Sequence, residues 1–268
     1  MEPLKLGILG CSGRMGRMLM AGALADPAFR LVGGVDRADS PAIGQDLGTL
    51  AGALPLGLSA GSDLEALLAE ADTVIDFTAP AATVANAAAA ATAGTALVVG
   101  TTGLSAQQVD ALRQAAERVA VVFAPNMSLG VTLLAALVRQ AAARLGDDWD
   151  IEIVEMHHRH KVDAPSGTAL GLGRAAAEGR GIDLEANAIR QRDGHTGARP
   201  RGPIGFATLR GGDVVGDHSV IFAAEGERLE LTHKASSRAV FARGALRAAL
   251  WTRGRGPGLY DMNDVLDL

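Results

Sequence analysis

The chain has 268 residues, 48% hydrophobic but only 3% aromatic, so its core is built from Ala, Val, Leu and Gly in place of rings. That length suits one large or two modest domains, and abundant aliphatics beside 21% charged residues exclude a disordered or fibrous chain despite 34 glycines. A formal charge of -5 offers no basic stripe for nucleic acid; the single cysteine, Cys11, cannot staple a fold, and the start MEPLKLGILG lacks a signal-peptide pattern, which together point to a reducing compartment, the cytoplasm.

In chain order, LKLGILG reads as a strand, GRMGRMLMAGAL as a helix and FRLVGGVDR as a second strand. DTVIDFT, ALVVGTT and VAVVFAP follow as further short apolar runs. Runs of this kind separated by helical patterns predict a parallel sheet covered on both faces. Residues 77–109 carry no charge, but Pro80, Asn86, three glycines and many threonines interrupt them, so they read as buried α/β structure and no membrane partner is expected. SAQQVDALRQAAERV is predicted to be a crossover helix capped by Ser105, with an apolar face at Val109, Leu112 and Ala116.

The pattern changes near residue 127. A helix, SLGVTLLAALVRQAAARLG, leads into the alternating strand DIEIVEMHH, and GFATLRG, VVGDHSVIFAAEG and RLELTHKAS read as successive strands with a turn at Glu225-Gly226-Glu227. A terminal helix is expected over RAVFARGALRAALWTRG, ending at Gly254 and packing back on the first domain. The expected fold is α/β: a Rossmann-like parallel-sheet nucleotide domain at 1–127 and 238–268, and a second α+β domain at 128–237 with a mixed or antiparallel sheet, for substrate binding and oligomerisation.

Gly10-Cys11-Ser12-Gly13-Arg14-Met15-Gly16 lies at the first strand-to-helix turn. Glycines there permit a tight turn and close approach of backbone to a pyrophosphate, which the helix N-terminus attracts. The spacing Gly-x-x-Gly-x-x-Gly departs from the commoner Gly-x-Gly-x-x-Gly, and a plain structural turn is the alternative. Asp36, 20 residues beyond Gly16, can accept from a ribose, whereas the adjacent Arg37 can pair with a 2′-phosphate, so NADH and NADPH are both expected as coenzymes. Cys11 reads either as a small residue beside the phosphates or as a redox-sensitive thiol. Thr78, Gly100-Thr101-Thr102-Gly103 and Ala124-Pro125-Asn126-Met127 fall at the carboxyl ends of predicted parallel strands, where such sheets bind ligands.

Three of the six histidines cluster in Glu155-Met156-His157-His158-Arg159-His160-Lys161, before Asp163-Ala164-Pro165-Ser166-Gly167-Thr168 opens a helix. On a strand His158 and His160 would share one face and His157 the other, and no second group at ligand spacing follows, so no metal is expected. A solvated loop is the other plain reading. The chemical reading is that a histidine donates a proton near neutral pH, a lysine gives a point charge, and the helix start holds a carboxylate. That combination suits an anionic substrate protonated during reduction. Of 25 basic residues only Lys5, Lys161 and Lys234 are lysines, which marks Lys161.

The segment EMHHRHKVDAPSGTA closely resembles the E-x-H-H-x-x-K-x-D-A-P-S-G-T-A signature of the dihydrodipicolinate (4-hydroxy-tetrahydrodipicolinate) reductase family of bacterial lysine and diaminopimelate biosynthesis. The likeness extends through GCSGRMG, VIDFT, VVGTTG, FAPNMSLG, GHTGARPRGPIGFATLRGGDVVGDHSV, GERLELTHKASSR and GLYDMNDVLDL. It implies a two-domain homotetramer that uses NADH or NADPH to reduce a small cyclic dicarboxylate at C4 after loss of its hydroxyl. It implies His157 as proton donor, Lys161 as the catalytic lysine, and His158, Ser166, Gly167 and Thr168 as substrate contacts. Nucleotide contacts fall on Gly10, Cys11, Ser12, Gly13, Arg14, Met15, Asp36, Arg37, Gly100, Thr101, Thr102, Ala124, Pro125, Asn126 and Met127. Asp36 stands where some relatives have Glu. Arg238 matches a basic position near the substrate, a surface role at the helix start being the alternative. Two rivals share the nucleotide half: another NAD(P)-dependent small-carboxylate dehydrogenase, and a non-catalytic nucleotide sensor.

Overall fold

A computed structural model describes residues 2–268. The described chain divides into two compact units, one of residues 2–128 and 239–267, the other of residues 129–238 with residue 268.

The first unit starts with β1 (Leu4–Leu9), α1 (Arg14–Leu24), β2 (Phe29–Val35), α2 (Leu47–Leu50), α3 (Leu64–Glu70) and β3 (Thr73–Asp76). It continues through α4 (Pro80–Ala93), β4 (Ala96–Val99), α5 (Ala106–Ala116) and β5 (Ala120–Phe123). The uncharged stretch after Asp76 becomes α4 and β4. Pro80 pre-sets the first turn of α4 and Gly94 ends it in the left-handed conformation, a start and stop that the side chains dictate. The buried face of α4 is Thr83, Ala87, Ala90 and Ala91, small enough to pack closely with Leu67, Val74, Leu97, Leu112 and Val121 in one core cluster. Ser105 caps α5 as expected, in a reciprocal box with Gln108.

The second unit comprises α6 (Leu129–Arg144), β6 (Asp150–His157), α7 (Gly167–Arg180), α8 (Leu184–Asn187), β7 (Ala188–Ile189), β8 (Ile204–Arg210), β9 (Gly216–Ala224) and β10 (Glu227–Ala235). Its sheet runs β10-β9-β6-β8-β7. Because β6 pairs antiparallel with β9 but parallel with β8, the sheet is mixed. Residues of α6 and α7, including Leu134, Val138, Leu172 and Ala176, form one core cluster with Ile151, Ile153, Phe206, Val220 and Phe222 of the sheet.

The chain then returns to the first unit as α9 (Ala239–Trp251), β11 (Gly258–Tyr260) and α10 (Met262–Leu266). The expected terminal helix is α9, which packs on α1. β11 was not foreseen: it pairs parallel with β5 and completes the sheet order β11-β5-β4-β3-β1-β2. Three residues are too few to show a strand period. Among the described residues, no helix is long and apolar enough to cross a membrane.

Candidate active site

In the first unit, β1 delivers the glycine turn to α1. Gly10 has φ +78°, which favours glycine, and a Cβ on Gly16 would lie 2.2 Å from the Gly10 carbonyl oxygen, so the turn closes only with hydrogen at that position. Gly13 caps α1 with no side-chain acceptor, and the first turn holds no acidic residue. The helix start is therefore suited to an external anion, and the cradle fits a pyrophosphate.

Asp36 lies beside this turn. One of its carboxylate oxygens accepts from the backbone N–H and hydroxyl of Ser12 at 3.0 and 2.5 Å, and the other from the Arg37 N–H at 2.8 Å. Burial pulls the Asp36 carboxyl upward, but these bonds outweigh it and hold the group below the usual range. The Arg37 side chain is 80% exposed and lies 3.5 Å from Asp39. Cys11 is buried; its N–H bonds to the Val35 carbonyl, and its thiol lies against Gly34. Burial, reinforced by the Asp36 charge, pushes that thiol up to about 11. The structure thus favours the small-residue reading of Cys11 over the redox one.

Asp76, a residue the sequence reading passed over, organises the neighbouring loops. Fully buried at the end of β3, it accepts from the N–H and hydroxyl of Thr78 at 2.9 and 2.6 Å, from Thr101 Oγ1 at 3.2 Å and from Asn86 Nδ2 at 2.9 Å. Thr101 therefore points inward, whereas Thr102 is exposed. Gly100 makes room for the Phe77 ring. In the loop after β5, Ala124 and Met127 are buried, Pro125 is exposed, and Asn126 Oδ1 accepts from the Ser128 N–H at 2.9 Å.

The second unit gathers the histidines. Along β6, Ile151, Ile153, Glu155 and His157 are buried in alternation, so a carboxylate and an imidazole extend the core face at the carboxyl end of the strand. Glu155 is 1% exposed. Arg210, in register with His157 on β8, forks onto both Glu155 oxygens at 2.8 and 3.0 Å. The Ser166 N–H bonds to Glu155 Oε1 at 3.0 Å, and His157 Nδ1 lies 2.6 Å from Oε2. Burial alone would raise this carboxyl; Arg210, His157 and Ser166 together hold it below the ordinary carboxylate range.

His218 of β9 is also buried. Its Nε2 lies 3.1 Å from Ser166 Oγ, and its ring meets that of His157 edge-on at 5.0 Å. Burial first, then the neighbouring His157, lowers the His218 pKa to about 4, so it is neutral at physiological pH. Across the strands Gly216 lets the backbone approach the His157 ring closely: a Cβ there would lie 3.0 Å from Nε2.

β6 ends at His157, so the expected alternation of His157, His158 and His160 along a strand is replaced by a turn. The rings of His158 and His160 are 6.3 Å apart in it. Partial burial and the charge of Arg238 lower the His158 pKa, which brings Arg238 into this neighbourhood. Lys161 Nζ lies 2.8 Å from Asp163 Oδ1. Ser166 caps α7 by accepting from the Ala169 N–H at 3.1 Å, and the first turn, with Gly167 and Thr168, has no acidic residue. His157, His158, Lys161, Ser166, Gly167 and Thr168 thus belong to one compact unit, joined there by Glu155, Arg210 and His218. Among the described residues no group of three or more His, Cys, Asp or Glu is set to hold a metal.

Comparison with known proteins follows the same division. Residues 4–127 match the family model described as dihydrodipicolinate reductase, N-terminus, and residues 130–266 the model for its C-terminus. The 4-hydroxy-tetrahydrodipicolinate reductase of Afipia carboxidovorans is 56% identical over 268 residues, which is 100% of this chain and 98% of that protein. A reductase of the same name from Rhodopseudomonas palustris is 57% identical with the same coverage. A solved dihydrodipicolinate reductase from Paenisporosarcina sp. TG-14, with dipicolinate bound, superposes with a TM-score of 0.76 at 25% identity over 97% of each chain. The chain belongs to the dihydrodipicolinate reductase family.

Proposed function

We propose that this chain reduces 4-hydroxy-tetrahydrodipicolinate to tetrahydrodipicolinate in the diaminopimelate route of lysine biosynthesis, using NADH or NADPH. The observation that carries the reading is the pairing of His157 Nδ1 with a buried carboxylate, in the same unit as Lys161 and the Ser166-capped start of α7. When bound, a reduced nicotinamide supplies a hydride and no proton, so the proton is a task for the protein. An ionised Glu155 accepts and cannot donate; Nδ1 therefore carries a hydrogen, and Nε2 is the nitrogen that gives up its proton.

The backbone N–H groups and dipole at the start of α7 hold one substrate carboxylate at Ser166, Gly167 and Thr168. Lys161, which also assists the proton transfer, and Arg238 give positive charge for the other, and His158 is a hydrogen-bonding contact. In the first unit Gly10, Ser12, Gly13, Arg14 and Met15 hold the pyrophosphate, Asp36 the ribose, and the exposed Arg37 a 2′-phosphate where present. Thr102 and the loop from Ala124 to Met127 complete that site, while Cys11, Gly100 and Thr101 shape it from within.

The expected assembly is a homotetramer, formed through the second unit's sheet. The buried free thiol of Cys11 is consistent with a cytoplasmic enzyme. The deciding experiment is reduction of 4-hydroxy-tetrahydrodipicolinate by the purified protein with each coenzyme in turn. Turnover with at least one is expected, and turnover with neither would overturn the reading.

A further inference from the structure

The geometry points to Glu155 as the positioning residue of this reduction: a single carboxylate fixes the ring nitrogen by which His157 delivers its proton and anchors Ser166, the cap of the carboxylate-binding helix. The inference rests on the function proposed above and goes further by assigning a role to a residue outside the expected contacts.

Glu155 occupies a place in the alternation of β6 that Ile151 and Ile153 fill with aliphatic side chains. An ionised group there carries a desolvation cost of several kcal/mol, and well-packed apolar side chains often serve stability as well or better than a buried ion pair. The contacts of Glu155 indicate what the charge does. Arg210 saturates one side of both oxygens, which keeps the carboxylate ionised and its plane fixed. The two remaining bonds go to residues of the site, Oε2 to His157 Nδ1 and Oε1 to the Ser166 N–H.

An ionised carboxylate has no hydrogen to give, so neutral His157 is held as the Nδ1–H tautomer with its lone pair on Nε2. Nε2 then takes up and releases the transferred proton, and Gly216, without a side chain, does not crowd it. The other ionisable groups around Glu155 are Arg210 on β8, His218 on β9, in register with Glu155, and His233 beyond it on β10, with Lys161 after the strand. Of these, Arg210 alone bonds to the Glu155 carboxylate. In Glu155→Gln an amide N–H₂ at the Oε2 position would donate to Nδ1 and force the opposite tautomer, whose Nε2–H belongs to a neutral ring and is a poor acid. Misplacing a tautomer through its carboxylate partner is a known way to lose turnover while geometry survives.

The test has two arms. In the first, the wild-type protein with ¹⁵N-labelled histidine is examined by NMR at a pH where His157 is neutral, with His157→Gln used to assign the signal. The Nδ1–H pattern is expected, and an Nε2–H pattern would overturn the inference. In the second, Glu155→Gln is made alone and in the His157→Gln background. Alone it should lower kcat by at least about tenfold, and by no more than the roughly 10²–10⁴-fold expected for losing the general acid itself, with KM for the coenzyme unchanged. In the His157→Gln background it should cost less than about twofold, because residues acting as a unit are not additive. Equal losses in both backgrounds would mean a structural role and overturn the assignment. If Glu155→Gln fails to fold, the first arm decides alone. Absence of turnover in the wild type would instead refute the proposed function, a result the tautomer measurement does not share.

Discussion

In the proposed reaction His157 is the proton donor, while Lys161 both assists that transfer and holds a carboxylate, and substitutions can separate these roles. His157→Gln keeps an amide in the place of the ring but removes the titrating nitrogen. It is expected to lower kcat by about 10²–10⁴-fold while NADH binding measured by calorimetry is unchanged; normal turnover would remove His157 from the role. Lys161 reaches Asp163 with a single ammonium, and its replacement by Arg retains the charge but substitutes a planar fork that is protonated at every accessible pH. Lys161→Arg should keep much of the substrate affinity and lose most of the turnover, and full activity would reduce the scarcity of lysine in this chain to compositional bias. At the other site Arg37 is exposed and only loosely paired with Asp39, so it is available to a 2′-phosphate without dismantling the turn. Arg37→Ala should raise KM for NADPH selectively; an equal rise for NADH would show that Arg37 reads another part of the coenzyme.

At the scale of elements, the start of α7 carries two loads. Ser166 Oγ accepts from the Ala169 N–H and meets His218 Nε2, while its own N–H bonds to Glu155. Ser166→Ala removes the first two and spares the third, so it should destabilise the protein by about 1 kcal/mol and raise KM for substrate more than it lowers kcat. Thermal unfolding together with steady-state kinetics would check both, and an unchanged KM would separate the cap from substrate binding. Elements with a strong local signal were legible in the sequence: the glycine turn into α1, the Ser105 cap of α5, and the hairpin of β9 and β10 at Gly226. The tail strand β11 was not, because it draws its order from β5 and has no pattern of its own. The site was half legible for a similar reason. His157, Lys161 and Ser166 stand close together in sequence, but Arg210 lies 55 residues from Glu155 and His218 lies 52 from Ser166, separations that no local pattern spans. One signal was present and passed over. In DIEIVEMHH, Glu155 falls in phase with Ile151 and Ile153, and a carboxylate in phase with a core face needs a distant partner.

For the molecule as a whole, the buried polar cluster of the second unit makes stability depend on pH in two windows of known sign. His218 has an ordinary pKa of 6.5, lowered to about 4 by burial and by His157. Between those values the unfolded chain binds a proton that the folded one refuses, so stability rises with pH across the window, is complete above about 6.5 and declines as pH falls toward 4. At 1.36 kcal/mol per pKa unit the decline amounts to about 3 kcal/mol at most. Glu155, held below its ordinary 4.5, adds a second loss that starts near that value and continues as pH falls through its folded pKa. His157, His233 and Lys161 also face His218 electrostatically, so the wild-type slope alone does not isolate one residue. His218→Gln isolates it, because glutamine can still bond to Ser166 Oγ but does not titrate. Thermal melts between pH 7 and 4 should show a steep fall in Tm for the wild type and a clearly shallower one for His218→Gln down to about pH 4.5, with the two curves falling in parallel below it. Equal slopes above pH 4.5 would place the acid sensitivity of the fold elsewhere than in His218.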